Sequence, residues 1–248
     1  MPAKTLTIRL IPLALMALLL TSCGKQLSDF TVETGPTVTE TQTVQSLGAQ
    51  AADVEIKLGV GKLTVAGGAT DLMTGTFTYN VPTWKPEVEY ELTGNRGRLR
   101  VAQPGATEGN IPTSPNVDYE WDLHFSDWMP IALVADLGVG SGELNLRGMN
   151  LTDLSVTTGV GSSTIDLGGN WNSSFNVRVR RGVGKTTLIV PTQVGVQISP
   201  RNGLGNVQVY GLVQDGDVYH NSLYGVSPVT VDIEIFGGVG ETEIRQDQ

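Results

Sequence analysis

Six times the chain returns to a glycine, an aliphatic residue and a second glycine. The triplets are Gly59-Val60-Gly61, Gly138-Val139-Gly140, Gly159-Val160-Gly161, Gly182-Val183-Gly184, Gly203-Leu204-Gly205 and Gly238-Val239-Gly240. Their first glycines lie 79, 21, 23, 21 and 35 residues apart. A recurrence this regular restricts the chain to like units stacked on one another. The flanks repeat as well. Five residues before each triplet stand Val54, Leu133, Leu154, Val177, Ile198 and Ile233, and three before it Ile56, Ala135, Val156, Val179, Pro200 and Ile235. Six residues after each first glycine stand Val65, Leu144, Ile165, Leu188, Val209 and Ile244. Polar residues mostly fill the positions between. Alternation of period two on both sides of a corner describes half-buried strands, not helices.

The unit therefore reads strand, glycine corner, strand, return. Stacked in register at about 4.8 Å, such units make an all-β, single-stranded β-helix, a solenoid with coils of 21–23 residues. The corner needs a backbone angle that costs a residue with a Cβ roughly 1–2 kcal/mol, which selects glycine. The aliphatic residue between the glycines is expected to point inward and fill the bend. Successive triplets are expected to be neighbours in space, with Gly238-Val239-Gly240 closing the rod.

The N-terminus reads as an export signal. Lys4 and Arg9 precede an apolar stretch from Ile11 to Leu20, too short for a stop-transfer helix. It ends in Leu20-Thr21-Ser22-Cys23, which resembles the lipobox of bacterial lipoproteins and makes Cys23 the expected site of acylation. Cys23 is the only cysteine, so an internal disulfide is excluded. One acyl chain gives marginal membrane binding, at about 0.8 kcal/mol per buried CH₂, and the two or three of such lipoproteins give a lasting anchor. Without residues 1–22 the 16 bases fall to 14 against 25 acids, a net charge of −11. That charge argues against nucleic acid as a partner.

The expected organisation is a signal peptide over 1–22, a flexible tether over 23–50, an N-terminal β region with the first repeat and a cap over 51–130, and the solenoid over 131–248. The tether composition, rich in Thr, Gln, Glu and Ser, leaves room for a short strand around 37–44. Glu87–Leu92 and Arg98–Ala102 flank Gly94-Asn95-Arg96-Gly97, a hairpin signal. Val117, Tyr119, Trp121, Leu123 and Phe125 alternate with Asp118, Glu120, Asp122 and His124, and this strand is expected to cap the first coil. The excess length of the last step falls near Gln214–Gly225, read as an outward excursion carrying Tyr219, His220 and Tyr224.

Little of this pattern carries chemistry. Gly182-Val183-Gly184-Lys185-Thr186-Thr187 imitates the end of a phosphate-binding loop, but Val179 stands where its first glycine belongs and a strand follows, not a helix. The residues after the triplets form no acidic column, which excludes the repeated calcium sites of a β-roll. Asp118, Glu120 and Asp122 share a strand face and could at most take one divalent ion, and a solvated face explains them equally well; Asp215 and Asp217 flank a turn glycine. The two histidines, His124 and His220, lie in different regions, and no nucleophile elbow occurs. No catalytic residue, metal or cofactor is therefore expected. The distinctive charge feature is a basic cluster on an acidic chain: Arg178, Arg180 and Arg201 on one face, with Arg181 and Lys185 near the corner. It reads as a solvated face balanced by nearby acids or as a docking patch for an anionic partner, such as envelope polysaccharide, a phospholipid headgroup or an acidic protein.

Val54 to Val65, Tyr79-Asn80-Val81-Pro82-Thr83-Trp84-Lys85-Pro86 and the later triplets resemble the toast-rack family of bacterial envelope proteins. The family is related to the C-terminal domains of LiaF-type cell-wall-stress response proteins. The resemblance covers residues 35 to 245 and implies an extracytoplasmic β-solenoid attached to a membrane, without catalytic residues to transfer. LiaF-type proteins carry transmembrane helices where this chain has a lipid anchor, which argues against direct signalling across the membrane. The expected function is a non-catalytic, lipid-anchored scaffold at the cell envelope, serving stress sensing or adhesion. A carbohydrate-active β-helix enzyme and a surface protein that associates with itself through a rod end are the alternatives.

Overall fold

The computed structural model describes residues 33–105, 116–201 and 203–247. The signal segment, Cys23 and the first part of the expected tether lie outside the described residues. Among the described residues every regular element is a β-strand apart from one 3-10 turn at Pro82–Trp84. The fifteen strands described join one sheet that folds back on itself at the glycine corners.

Four strands run unbroken through their triplets: β2 (Ala51–Ala69), β7 (Ile131–Asn145), β8 (Leu151–Asp166) and β9 (Phe175–Val190). Two more coils break at the corner, into β10 (Gly195–Arg201) with β11 (Leu204–Tyr210), and β14 (Thr230–Phe236) with β15 (Val239–Gln246). Stacking is parallel and in the register of the repeats: Val54 pairs with Leu133, Leu133 with Leu154, and Leu154 with Val177. The aliphatic columns do line a shared interior. Ile56, Val156, Val65 and Ile165 are all fully buried. Short returns add Leu146, Met149, Leu167 and Trp171 to the same core, the Trp171 indole N–H donating to the Leu167 carbonyl at 2.8 Å.

The order of the last two coils departs from the sequence reading. Ile233 of β14 pairs with Val177 of β9 on one side and with Ile198 of β10 on the other. Likewise β15 lies between β9 and β11. The coil that comes last in sequence is thus inserted, and the Gly203 coil ends the rod. Spacing could not reveal this. Climbing two levels instead of one adds about 4.8 Å, little more than one residue of extended chain. The long connection that makes the insertion possible forms a hairpin of β12 (Val213–Asp215) and β13 (Val218–His220), and β13 pairs antiparallel to β10.

At the other end the cap is as the alternation implied. β5 (Arg96–Ala102) covers one leg of β2 and β6 (Tyr119–Ser126) the other. β4 (Glu87–Thr93) hydrogen-bonds to β5 as the expected hairpin. β3 (Met73–Tyr79) pairs with β6, and β1 (Val38–Val44) pairs with β3 along its whole length. The optional short strand within the expected tether is therefore part of the sheet. Trp121 is 1% exposed and meets Phe77 edge to face at 5.6 Å. Gln103 completes the cap. Its side-chain oxygen accepts from the backbone N–H groups of Gly59 and Val60, at 2.8 and 2.9 Å, at the corner where the stack begins.

The corners show why both glycines recur. Gly161 has φ +138°, and a Cβ there would stand 1.8 Å from the Gly140 carbonyl oxygen. The first glycine is excluded by space alone: a Cβ on Gly159 would stand 2.1 Å from the Gly138 oxygen. The residue between them does not fill the bend. Val160, Val183 and Val239 are about half exposed, at 51%, 52% and 52%, and Leu204 is 77% exposed. Leu58, Leu137 and Leu63, all buried, already occupy the inside of the bend, which has less room than its outside.

Candidate functional site

Corner geometry creates the first surface feature. Val60, Val139, Val160, Val183, Val239 and Leu204 pair in register and form an aliphatic ridge along the rod, bordered on both sides by bare glycine backbone.

The second feature is the basic cluster, and the inserted coil divides it. Arg178 projects from β9 beside Glu234 of β14, its Nε 3.5 Å from the carboxylate. Lys185 lies between Glu243 and Glu241 at 3.3 and 3.5 Å, and the hydrogen bond to Glu243 raises its pKa above the usual lysine range. Both cations are exposed, so the pairs add little to stability. Arg180 stacks its guanidinium 5.6 Å from the centre of the Phe236 ring, a cation–π contact. Arg201 pairs in register with Phe236 from the opposite side. Arg180, Phe236 and Arg201 therefore form a row across three strands, with the backbones of the two arginines about 9.6 Å apart, two strand spacings. Sequence reasoning placed these arginines on adjacent coils because it took Gly203 to follow Gly182 directly in space.

Arg181 is on neither outer face. It occupies the inward corner position, in register with Thr158, which follows Leu58 and Leu137 in the same column. Its Nη2 donates to the Gly237 carbonyl at 2.7 Å, and its Nε is buried with no hydrogen-bond partner among the described residues. Burial lowers its pKa below the usual arginine range. The column of leucines was the available signal, since a residue following Leu58 and Leu137 in register must point inward.

Asp118, Glu120 and Asp122 of the candidate ion site diverge in their contacts. Glu120 approaches Lys62 at 3.9 Å, Asp122 approaches His124 at 3.2 Å, and the Asp118 backbone N–H donates to the Asn80 side chain. Among the described residues no three His, Cys, Asp or Glu are placed to share an ion. In the loop-like motif, Thr186 is buried and accepts from the Ser163 hydroxyl at 3.2 Å, so that hydroxyl is committed to the stack. Among the described residues no helix is long and apolar enough to cross a membrane.

Residues 33–189 match the family model described as the N-terminal domain of toast_rack, DUF2154. Among solved structures, the chain is similar to a candidate cell-adhesion protein from Clostridium sporogenes ATCC 15579. Identity is 33%, the match covers 86% of this chain and 100% of the other, and the TM-score is 0.79. A candidate adhesin from Bacteroides fragilis NCTC 9343 shares 10% identity over 84% of this chain and 97% of its own, with a TM-score of 0.35, too low to carry an argument. No curated protein sequence matches significantly.

Proposed function

The chain belongs to the toast-rack family, and on that footing we propose that it is a non-catalytic interaction module of the bacterial cell envelope, anchored by lipid at Cys23 and docking an anionic envelope component on its outer strand face. The observation that carries this reading is the row of Arg180, Phe236 and Arg201. Two arginines without a carboxylate partner among the described residues flank an aromatic ring on a strand face, while the neighbouring Arg178 and Lys185 are already paired. Guanidinium groups beside an aromatic plane suit acidic sugars and carboxylate side chains. The 33%-identical relative, described as a candidate cell-adhesion protein, supports an extracellular interaction role.

Two experiments test the two halves of the proposal. Cys23→Ser is expected to move the protein from the membrane fraction to the soluble extracytoplasmic fraction; continued sedimentation with membranes would remove the lipid anchor. In intact cells, crosslinking of Arg180→Glu/Arg201→Glu is expected to recover roughly tenfold less of the wild-type partner, the effect of about 1.4 kcal/mol. Arg178→Glu/Lys185→Glu, at the two cations already paired with carboxylates, serves as the charge-matched control. An unchanged crosslinking pattern in the double variant would mean that the row docks nothing.

A further inference from the structure

The rod has a blind end. Among the described residues β11 hydrogen-bonds only to β15, so its outer edge carries no strand, and the cap hairpin covers only the β10 leg. Between the two legs at this end lies a cavity of about 180 Å³. Pro200, Val207 and Ile235 supply an aliphatic wall, Arg181 and Thr242 supply the polar groups, and Arg201, whose side chain belongs to the outer row, borders the cavity.

One atom of each polar group is unanswered. Thr242 is 1% exposed, and its hydroxyl has no hydrogen-bond partner among the described residues. The buried Arg181 Nε has none either, and no carboxylate among the described residues pairs with this guanidinium. A buried donor without an acceptor costs about as much as a lost hydrogen bond, and a half-buried cation without an anion costs more. The backbone has been cleared to admit this arginine. A Cβ on Gly238 would stand 2.9 Å from the Arg181 Cβ and 3.0 Å from its Cζ, and one on Gly203 would stand 3.3 Å from its Nη2. Leucine serves the same column at the first two coils, so an arginine here is not needed for the fold.

We propose that this cavity binds a small organic monocarboxylate, with the carboxylate taken by Arg181 and the Thr242 hydroxyl and the apolar body lying against Pro200, Val207 and Ile235. The volume suits the class, since an apolar cavity of about 150 Å³ admits benzene. A dianion suits it less, because Glu241 and Glu243 flank Thr242 on β15 and the whole chain is acidic. The site lies inside the rod and not on the outer face, and it does not depend on the anchoring or docking reading.

Titration calorimetry on the purified full-length protein tests the site, with benzoate as probe, benzyl alcohol as its neutral counterpart and inorganic phosphate as a second anion. Benzoate is expected to bind saturably, benzyl alcohol and phosphate at least tenfold more weakly. Arg181→Leu, which restores the residue of the first coils, is expected to fold and to weaken benzoate roughly 10- to 100-fold, the size of a lost charge-assisted hydrogen bond. Thr242→Val keeps the shape, removes the hydroxyl and is expected to weaken benzoate severalfold; it decides the matter if Arg181→Leu does not fold. Absence of benzoate binding, equal binding of the alcohol or phosphate, or unchanged binding in the variants would each overturn the proposal.

Discussion

Gly161→Ala is expected to leave the protein largely unfolded at 37 °C. Two costs add at this position. With φ at +138° the backbone is in a region that is essentially reserved for glycine, at about 1–3 kcal/mol for any other residue. The methyl group would also stand 1.8 Å from the Gly140 oxygen, and that oxygen belongs to a hydrogen-bonded coil that cannot retreat without parting the ladder. Together they exceed roughly 4 kcal/mol, a large share of the 5–15 kcal/mol that holds a typical domain. Two controls separate the causes. Gly159→Ala has the carbonyl contact at 2.1 Å with no positive φ, and Gly148→Ala has φ +75° with open space around it. Denaturant midpoints should fall least for Gly148→Ala, at about 1 kcal/mol, more for Gly159→Ala and most for Gly161→Ala. Equal losses for Gly148→Ala and Gly161→Ala would show that stacking does not constrain the corner.

Trp121→Ala should cost about 3–5 kcal/mol, the usual loss for truncating a buried aromatic. Trp121 packs edge to face on Phe77 and at 5.8 Å from Tyr119, joining β3 and β6 to the interior of the first coil. Its indole N–H interacts with the neighbouring Tyr119 hydroxyl but makes no hydrogen bond of regular geometry among the described residues. Trp121→Phe should therefore cost much less than its lost volume implies, because it also removes a poorly satisfied donor worth about 1–3 kcal/mol. Thermal unfolding of the two variants reads the difference. Equal destabilisation by Phe and Ala would mean that the N–H is satisfied in solution.

The same columns mark the limit of what the sequence could tell. Val54, Leu133, Leu154 and Val177 announced their own register, because a buried position repeats only when the backbone returns to the same place. The cap was legible in the alternation from Val117 to Phe125, and the hairpin in Gly94-Asn95. The order of the final coils was not, since hydrophobic period measures residues per turn and says nothing about which turn lies next. That gap passed into the site. Arg180 and Arg201 were found, but Phe236 between them was not, and Glu234 opposite Arg178 was missed for the same reason. The orientation of Val160 and Val183 failed on different grounds. Alternation fixes facing along a straight strand, and a glycine at φ +138° resets it. Gln103 could not be anticipated, because its value lies in two N–H groups that become orphans only once the stack has a beginning.

The inserted coil also bears on how the molecule comes together. β9 and β10 follow one another in the chain, yet neither touches the other in the finished sheet; each waits for β14. Without Thr230–Gln246, neither β9 nor β10 has the strand that it pairs with at this seam. The last strands of the chain thus close two seams at once, so a polypeptide halted upstream of Thr230 lacks the segment that joins the terminal coil to the rest of the rod.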